Sequence, residues 1–505
     1  MMRFQPDRGV TKNAAALFVG RLLVMGSSFV LVLYAARLLG LTGFGRYALA
    51  RMYFDLLLTL GVTGLSILIT REIAKAPSHA AIYLGTAAPL AIGVITIAGG
   101  LLLLVSPAMG YGPDIQSMLW LACVALVPAS FATLSEAVFV ATGRSHYVMF
   151  GTVAEALLYA GTGLVLLSVG SAGQSLFVAL VATRSLLATL YAVLLWRRFG
   201  AVPRLGSYVF AKQLCRDWRT FACENWLANL TASSPTIVLS VFHREAAVGL
   251  YAAASRIVSF GTPLVTSFTG AMFPYMSRLH NESSQALRRV GEESLKYMLA
   301  AAVPGVVIVA MFAERVIGTL YGEGYAGAVP VLRIVIWAFV FNFLNPFVSH
   351  ILFARGEQTS SLRVGAVTSV VSLVLSLVLI PRFGAIGAAY TVVASSALAC
   401  CLFCAAAFRP DPTRVLMTFG KAGLAAASLA GFLAIWRHAH PAALAIGAAG
   451  VYFAALGLLR VSSAREVGAF FRPATASADP GSTLRLVKRS TRSGRPRCVE
   501  GSSLP

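Results

Sequence analysis

About fourteen apolar stretches, each near twenty residues long, follow one another from Asn13 almost to Arg460, and no other feature constrains the fold so tightly. A helix needs ~20 residues to cross a hydrocarbon core ~30 Å thick, and such stretches satisfy their backbone polar groups internally. The chain is therefore expected to be an all-α polytopic membrane protein with spans near 13–35, 45–69, 82–105, 116–140, 148–170, 174–196, 221–242, 247–272, 297–318, 328–353, 363–380, 386–408, 416–436 and 441–460. Composition agrees: 58% of residues are hydrophobic and 12% charged, about half the charge of a soluble chain.

Orientation follows from the loops, because Lys and Arg accumulate on the cytoplasmic side. Alternate loops and termini carry 30 of the 41 basic residues on one side, including Arg71, Lys75, Arg144 and the run from Arg197 to Arg219. The other side has six: Arg37, Arg46, Arg244, Arg315, Arg382 and Arg437. Both termini are expected in the cytoplasm, with residues 1–12 as a basic leader to a retained first span. A formal charge of +22 then reflects topology and attraction to anionic membrane lipids, and no nucleic-acid partner is implied. The tail 461–505 is rich in Ser, Gly, Pro and Arg and is expected to be disordered on the inner leaflet. The seven cysteines imply no disulfide framework, and Cys401 and Cys404 read as core packing.

Internal repetition sets the architecture. Ala141-Thr-Gly-Arg144 recurs as Ala354-Arg-Gly-Glu357, and Gly45-Arg-Tyr-Ala48 as Gly249-Leu-Tyr-Ala252. These offsets superimpose spans 1–6 on spans 7–12. The expectation is two parallel pseudo-symmetric six-helix bundles around a central cavity: a lobe at 13–219 ending in a basic linker, a lobe at 220–410, and an added helix pair at 411–460. Parallel repeats with a path between the halves are a transporter architecture.

The opening NAAALFVGRLLVMGSSFVLVLYAARLLGLTGFGRYALA resembles the start of polysaccharide-transport proteins, the Wzx-like oligosaccharide flippases of the multidrug/oligosaccharidyl-lipid/polysaccharide exporter superfamily. The likeness continues through GLYAAASRI (249–257), ARGEQ (354–358) and RFGAIGAAY (382–390), over about residues 10–410. It implies a polyprenyl-diphosphate-linked glycan as substrate, moved from the inner to the outer leaflet of a bacterial cytoplasmic membrane for surface polysaccharide or exopolysaccharide synthesis. A glycan polymerase and glycosyltransferases are the implied partners.

Intramembrane charge is costly and marks function. Five arginines fall inside the spans: Arg21, Arg51, Arg184, Arg256 and Arg333. Arg51 and Arg333 lie close enough to a boundary to snorkel, and Asp55 stands one turn from Arg51. Arg21, Arg184 and Arg256 lie deeper. Span carboxylates are few, Asp55, Glu136, Glu155 and Glu224, with Glu136 and Glu224 near helix ends. A net-basic, water-filled cavity that welcomes a diphosphate is the expectation, with structural pairing as the alternative for each arginine. Span seven carries Asn225, Asn229, Ser233 and Thr236, and span eight Ser255, Ser259, Thr262 and Thr266. These stripes suit sugar hydroxyls and, equally, interhelical hydrogen bonds. Pro235 and Pro263 mark candidate hinges in the same helices.

Walker A, HExxH and GxSxG motifs and a DxD pair are all absent, and the longest loop on the sparsely charged side runs only near 106–115, so transport is favoured over catalysis and no cofactor is expected. Movement is expected to draw on an H⁺ or Na⁺ gradient or on the substrate gradient. Glu155 is the first ion-coupling candidate because of its depth, and Asp55 the second. A cation-coupled multidrug exporter and a peptidoglycan-precursor flippase of the same superfamily are the alternatives.

Overall fold

The computed structural model describes residues 8–170, 172–199, 204–243, 245–409, 413–436, 447, 450–452 and 454–455. The predicted crossing at 441–460 therefore lies largely outside the described residues, as do the tail 461–505 and residues 1–7. All regular structure among the described residues is helical.

Two helical stretches are too long to cross a bilayer once. Gly20–Lys75 has 56 residues and Gln358–Ala407 has 50, which at 1.5 Å per residue is roughly two and a half times a hydrocarbon core or more. Each is broken by a glycine whose backbone no L side chain adopts readily: Gly40 (φ 65°) inside α1 (Arg8–Leu58) and Gly384 (φ 56°) inside the helix Gln358–Ala407. After α1, a five-residue π-helical stretch, Thr59–Thr63, leads into α2 (Gly64–Lys75).

The first lobe continues through α3 (Ala80–Val105), α4 (Pro113–Ala141), α5 (Ser145–Ser168) and α6 (Gln174–Phe199), with α4 packed on α1, α2, α3 and α6. The second begins at α7 (Tyr208–Phe242). Span eight differs from its prediction: it is two helices, α8 (Glu245–Ser259) and α9 (Thr262–Glu282), interrupted at Phe260 and Gly261. Proline sits in the first turn of α9, where its missing N–H costs nothing and its clash with the preceding turn ends α8. Then come α10 (Ser284–Met311), the short α11 (Ala313–Tyr321), α12 (Ala328–Val335), α13 (Ala338–Ala354) and α14 (Gln358–Ala407), with α14 packed on α7 and α13. The last described helix, α15 (Thr413–Ile435), packs on α10.

The repeated turns are alike atom for atom. Gly143 and Gly356 take φ 74° and 77°. Arg144 N donates to Phe139 O at 2.8 Å, and Glu357 N to Leu352 O at 2.9 Å. Gly143 N reaches Val140 O at 3.1 Å, and Gly356 N reaches Phe353 O at 3.0 Å. Both are Schellman closures, in which a left-handed residue lets two amides return to the last-turn carbonyls.

The Gly-x-Tyr-Ala repeats meet each other. A Cβ on Gly45 would collide with the Glu245 carbonyl, and one on Gly249 with the Leu41 carbonyl, so α1 and α8 touch backbone to backbone. Around this seam Arg46 pairs with Asp114 and, at 3.7 Å, with Glu245. Tyr325 donates to Ala36 O at 2.8 Å, and the Tyr111 hydroxyl bridges Tyr53 at 2.9 Å and Ser240 at 2.6 Å. Loops assigned to one side by their low Lys/Arg content gather here. At the other end Arg204 N donates to Ala81 O at 3.1 Å, and Arg288 to Arg409 O at 3.3 Å, all from the basic set of loops.

Candidate functional site

Below the α1–α8 seam lies a central chamber of about 720 Å³ walled by α1, α4, α5, α6, α7 and α8. A second chamber of about 1220 Å³ continues from it past Val24, Ser28 and Asn229 to Arg21 and Ser145, both exposed, on the basic-loop end. A third, of about 620 Å³, opens into the second lobe and shares Thr236, Tyr251, Ser255 and Ser259 with the first.

Six charged side chains border the central chamber: Arg51, Asp55, Glu136, Glu155, Arg184 and Arg256. With Arg21 at the adjoining mouth, the formal sum is four positive less three negative charges, or +1. The cavity is net basic, as the sequence suggests, by a single charge. Two residues that the sequence placed near a boundary also face it, and their charges cancel. Glu136, near the end of α4 as expected, faces the chamber. Arg51, expected to snorkel, turns inward, its Nε 3.2 Å from Asp55 and its guanidinium 5.3 Å from the Phe54 ring. Arg333 does stay at the rim, 2.9 Å from Glu314.

The ion pairs sort the charges. Arg184 Nε lies 2.8 Å from Glu155, which is 9% exposed; of the two readings for this pair of spans, the structure takes pairing. Arg51 holds Asp55. Glu136 has no ion pair among the described residues and accepts a hydrogen bond from Tyr191 at 3.4 Å. Glu155, Glu136 and Arg184 therefore place two carboxyls beside one guanidinium, a set that is neutral when it holds one proton.

Arg256 also borders both the central chamber and the mouth. Among the described residues it has neither an ion pair nor a hydrogen bond, and it is half-buried. Around it stand Asn229, whose amide donates to Asn225 O at 2.9 Å, and Ser259, which donates to Ser255 O at 3.0 Å. Asn229, Ser233, Thr236, Ser255 and Ser259 line the chamber; Asn225 is not among its lining residues. The glue is on a different face of α7, where Thr231 meets Ser369 at 2.6 Å and Ser234 meets Ser372 at 3.3 Å on α14. Of the span-seven stripe, Asn229, Ser233 and Thr236 border the chamber, and the interhelical bonds come from Thr231 and Ser234, which lie outside that stripe. Glu224 and Thr266 carry side chains outside the described set.

Sequence reasoning missed the amides Asn342 and Asn345 of α13, which border the third chamber. The signal was available: two amides one turn apart in an apolar span, next to Pro346.

Comparison with known proteins gives a consistent picture. The sequence model of the family described as polysaccharide biosynthesis protein matches residues 10–280, and that of the lipid II flippase MurJ matches residues 222–449. A Haloferax volcanii protein described as "Probable flippase AglR" is 25% identical over 417 residues, 76% of this chain and 79% of that protein. A second Haloferax volcanii protein, "Probable low-salt glycan biosynthesis flippase Agl15", is 20% identical over 77% of this chain and 81% of its own length. In fold, the chain is similar to lipid II flippase MurJ in an inward closed conformation, with TM-score 0.72 at 11% identity, covering 88% of this chain and 97% of that one. It is also similar to an inward-facing multidrug resistance MATE transporter of the MOP superfamily, with TM-score 0.62 at 16% identity, covering 79% and 95%.

Proposed function

Because the chain belongs to the polysaccharide biosynthesis protein family, a multi-pass membrane family of glycan flippases, we propose that it carries a polyprenyl-diphosphate-linked oligosaccharide from the inner to the outer leaflet of a bacterial cytoplasmic membrane. The observation that carries this reading is Arg256: a cation with no ion pair among the described residues, in a chamber walled in part by amides and hydroxyls. An unpaired guanidinium in a poorly solvated wall is stabilised by an anion that accepts two parallel hydrogen bonds, and a diphosphate supplies one.

The residues divide the work. Arg21 at the mouth attracts the diphosphate, and Arg256 binds it. Asn229, Ser233 and Ser259 offer further donors to the diphosphate. The α1–α8 glycine seam closes the far end while substrate loads, and its parting against closure at the mouth gives alternating access. Glu136, Glu155 and Arg184 form the coupling site: a proton taken up between the carboxyls changes the charge beside the diphosphate by one unit. Asp55, held by Arg51, is a poorer carrier for the same reason that Glu155 is, since each already has its cation.

The match of residues 222–449 to the MurJ family favours a second reading, in which the diphosphate lipid bears a peptidoglycan precursor; the chemistry at Arg256 is the same. A drug exporter fits less well, because an unpaired guanidinium repels a cationic drug.

Binding in nanodiscs tests the proposal. The full chain should bind an undecaprenyl-diphosphate-linked oligosaccharide and not ethidium, and Arg256→Ala should lose the glycolipid. Ethidium binding that survives Arg256→Ala, with no glycolipid binding, overturns it.

A further inference from the structure

The third chamber differs from the central one in kind. None of its described lining residues is charged; its polar groups include Asn342, Asn345, Ser349, Ser361, Thr368 and Ser396, with Ser255 and Ser259 shared with the central chamber. It sits between α7, α8, α13 and α14, and α8 divides it from the diphosphate site: Arg256 faces the central chamber while Ser255 and Ser259 face both.

Its hydrogen bonds are incomplete. Asn345 Nδ2 donates to Ser396 O at 3.1 Å, but Asn345 Oδ1 is buried with no partner among the described residues. Ser396 reaches Asn342 Oδ1 at only 3.4 Å, and Ser349 meets Ser361 at 3.2 Å. Leaving a buried carbonyl oxygen without a donor is costly, and a ligand hydroxyl relieves that cost. Phe339 and Phe403 supply flat apolar walls. A volume of about 620 Å³ falls in the ~300–1,000 Å³ range of small-molecule sites and is far too roomy for a bare cation held at ~2.3–2.6 Å.

We infer that this chamber is a glycan subsite that selects uncharged sugars next to the diphosphate. The inference rests on the diphosphate-lipid reading above. Hydroxyls suit unpaired amides and serines, and sugar faces suit the two phenylalanines. A uronic acid would bury its carboxylate with no cation to meet it, which is strongly unfavourable. Specificity of this kind comes from polar groups left unpaired by the wrong ligand.

Three probes test it on the full chain in nanodiscs: undecaprenyl diphosphate, the same lipid bearing glucose, and the same lipid bearing glucuronic acid. The glucose-bearing lipid should bind about tenfold tighter than the bare diphosphate, as expected for one or two new hydrogen bonds to buried groups, and the glucuronic-acid lipid no tighter. Asn345→Leu should erase the glucose preference and leave bare-diphosphate affinity unchanged, which also reports correct folding. Should that variant fail to insert, Asn342→Ala, at an exposed wall position, should lose part of the preference, about threefold. A glucose preference that is absent in the wild type, undiminished in the tested variant, or exceeded by the glucuronic-acid lipid overturns the inference. Failure of the underlying reading looks different: no probe binds, or Arg256→Ala leaves bare-diphosphate binding intact.

Discussion

At the residue scale, function concentrates in how few charges are left without partners. Of the charges that border the central chamber, Arg256 and Glu136 have no ion pair among the described residues, while Arg51, Asp55, Arg184 and Glu155 are matched. Replacing Arg256 with Lys keeps the charge but loses the planar fork, so transport should fall about tenfold with protein levels unchanged. Glu136→Gln should leave folding intact and make transport insensitive to the pH gradient, measured with an imposed gradient across proteoliposomes; gradient dependence equal to wild type counts against the coupling role. Glu155→Gln should behave differently. It strands a buried guanidinium, a loss of about 3–5 kcal/mol in a buried pair, and should show first as a lowered melting temperature in detergent. The arginines were legible in the sequence because charge in an apolar span is conspicuous. Their pairing was not, because it depends on how α4, α5 and α6 rotate about their axes, which a hydropathy pattern that is apolar on every face leaves undetermined.

At the element scale, glycines set the geometry. The turns at Gly143 and Gly356 have equal φ, and a Cβ at either would meet nothing within 4 Å. Their cost on substitution is therefore conformational alone, so Gly143→Ala and Gly356→Ala should each destabilise by about 1 kcal/mol and by the same amount, readable as equal shifts in thermal unfolding. Gly249 is the opposite case: its space is filled by the Leu41 backbone. Gly249→Val should fold yet hold the seam apart and stop transport, with a cysteine placed beside the seam at Thr42 newly reactive to a membrane-impermeant maleimide; full transport by this variant contradicts the seam's gating role. Both repeats could be read from the sequence, since Gly-x-Tyr-Ala and the Ala-x-Gly turns recur at near-constant offset. That one repeat makes matching turns while the other makes its two copies touch could not, because contact across a pseudo-symmetry axis leaves no local signature. The break of span eight was half legible: Pro263 announced a bend, and the structure ends α8 four residues earlier, at Ser259.

At the scale of the whole molecule, two helical lobes enclose one path whose chambers differ in chemistry: an exposed arginine at the mouth, a nearly charge-balanced centre, and a neutral hydroxyl and amide recess in the second lobe. The membrane-spanning character and two-lobe order followed from segment length and repetition. The recess did not, since Asn345 and Ser396 stand 51 residues apart on successive helices and converge only when the second half of α14 packs back on α13. The central claim, that the cavity carries a lipid diphosphate through Arg256, is tested most directly by flipping in proteoliposomes. An undecaprenyl-diphosphate-linked oligosaccharide with a fluorescent sugar is followed by quenching from outside. Wild-type protein should make the inner-leaflet pool accessible within the assay, and Arg256→Ala, present at equal density, should leave it protected as in empty liposomes. Equal flipping by wild type and Arg256→Ala, or none by the wild type under any imposed gradient, would contradict the account.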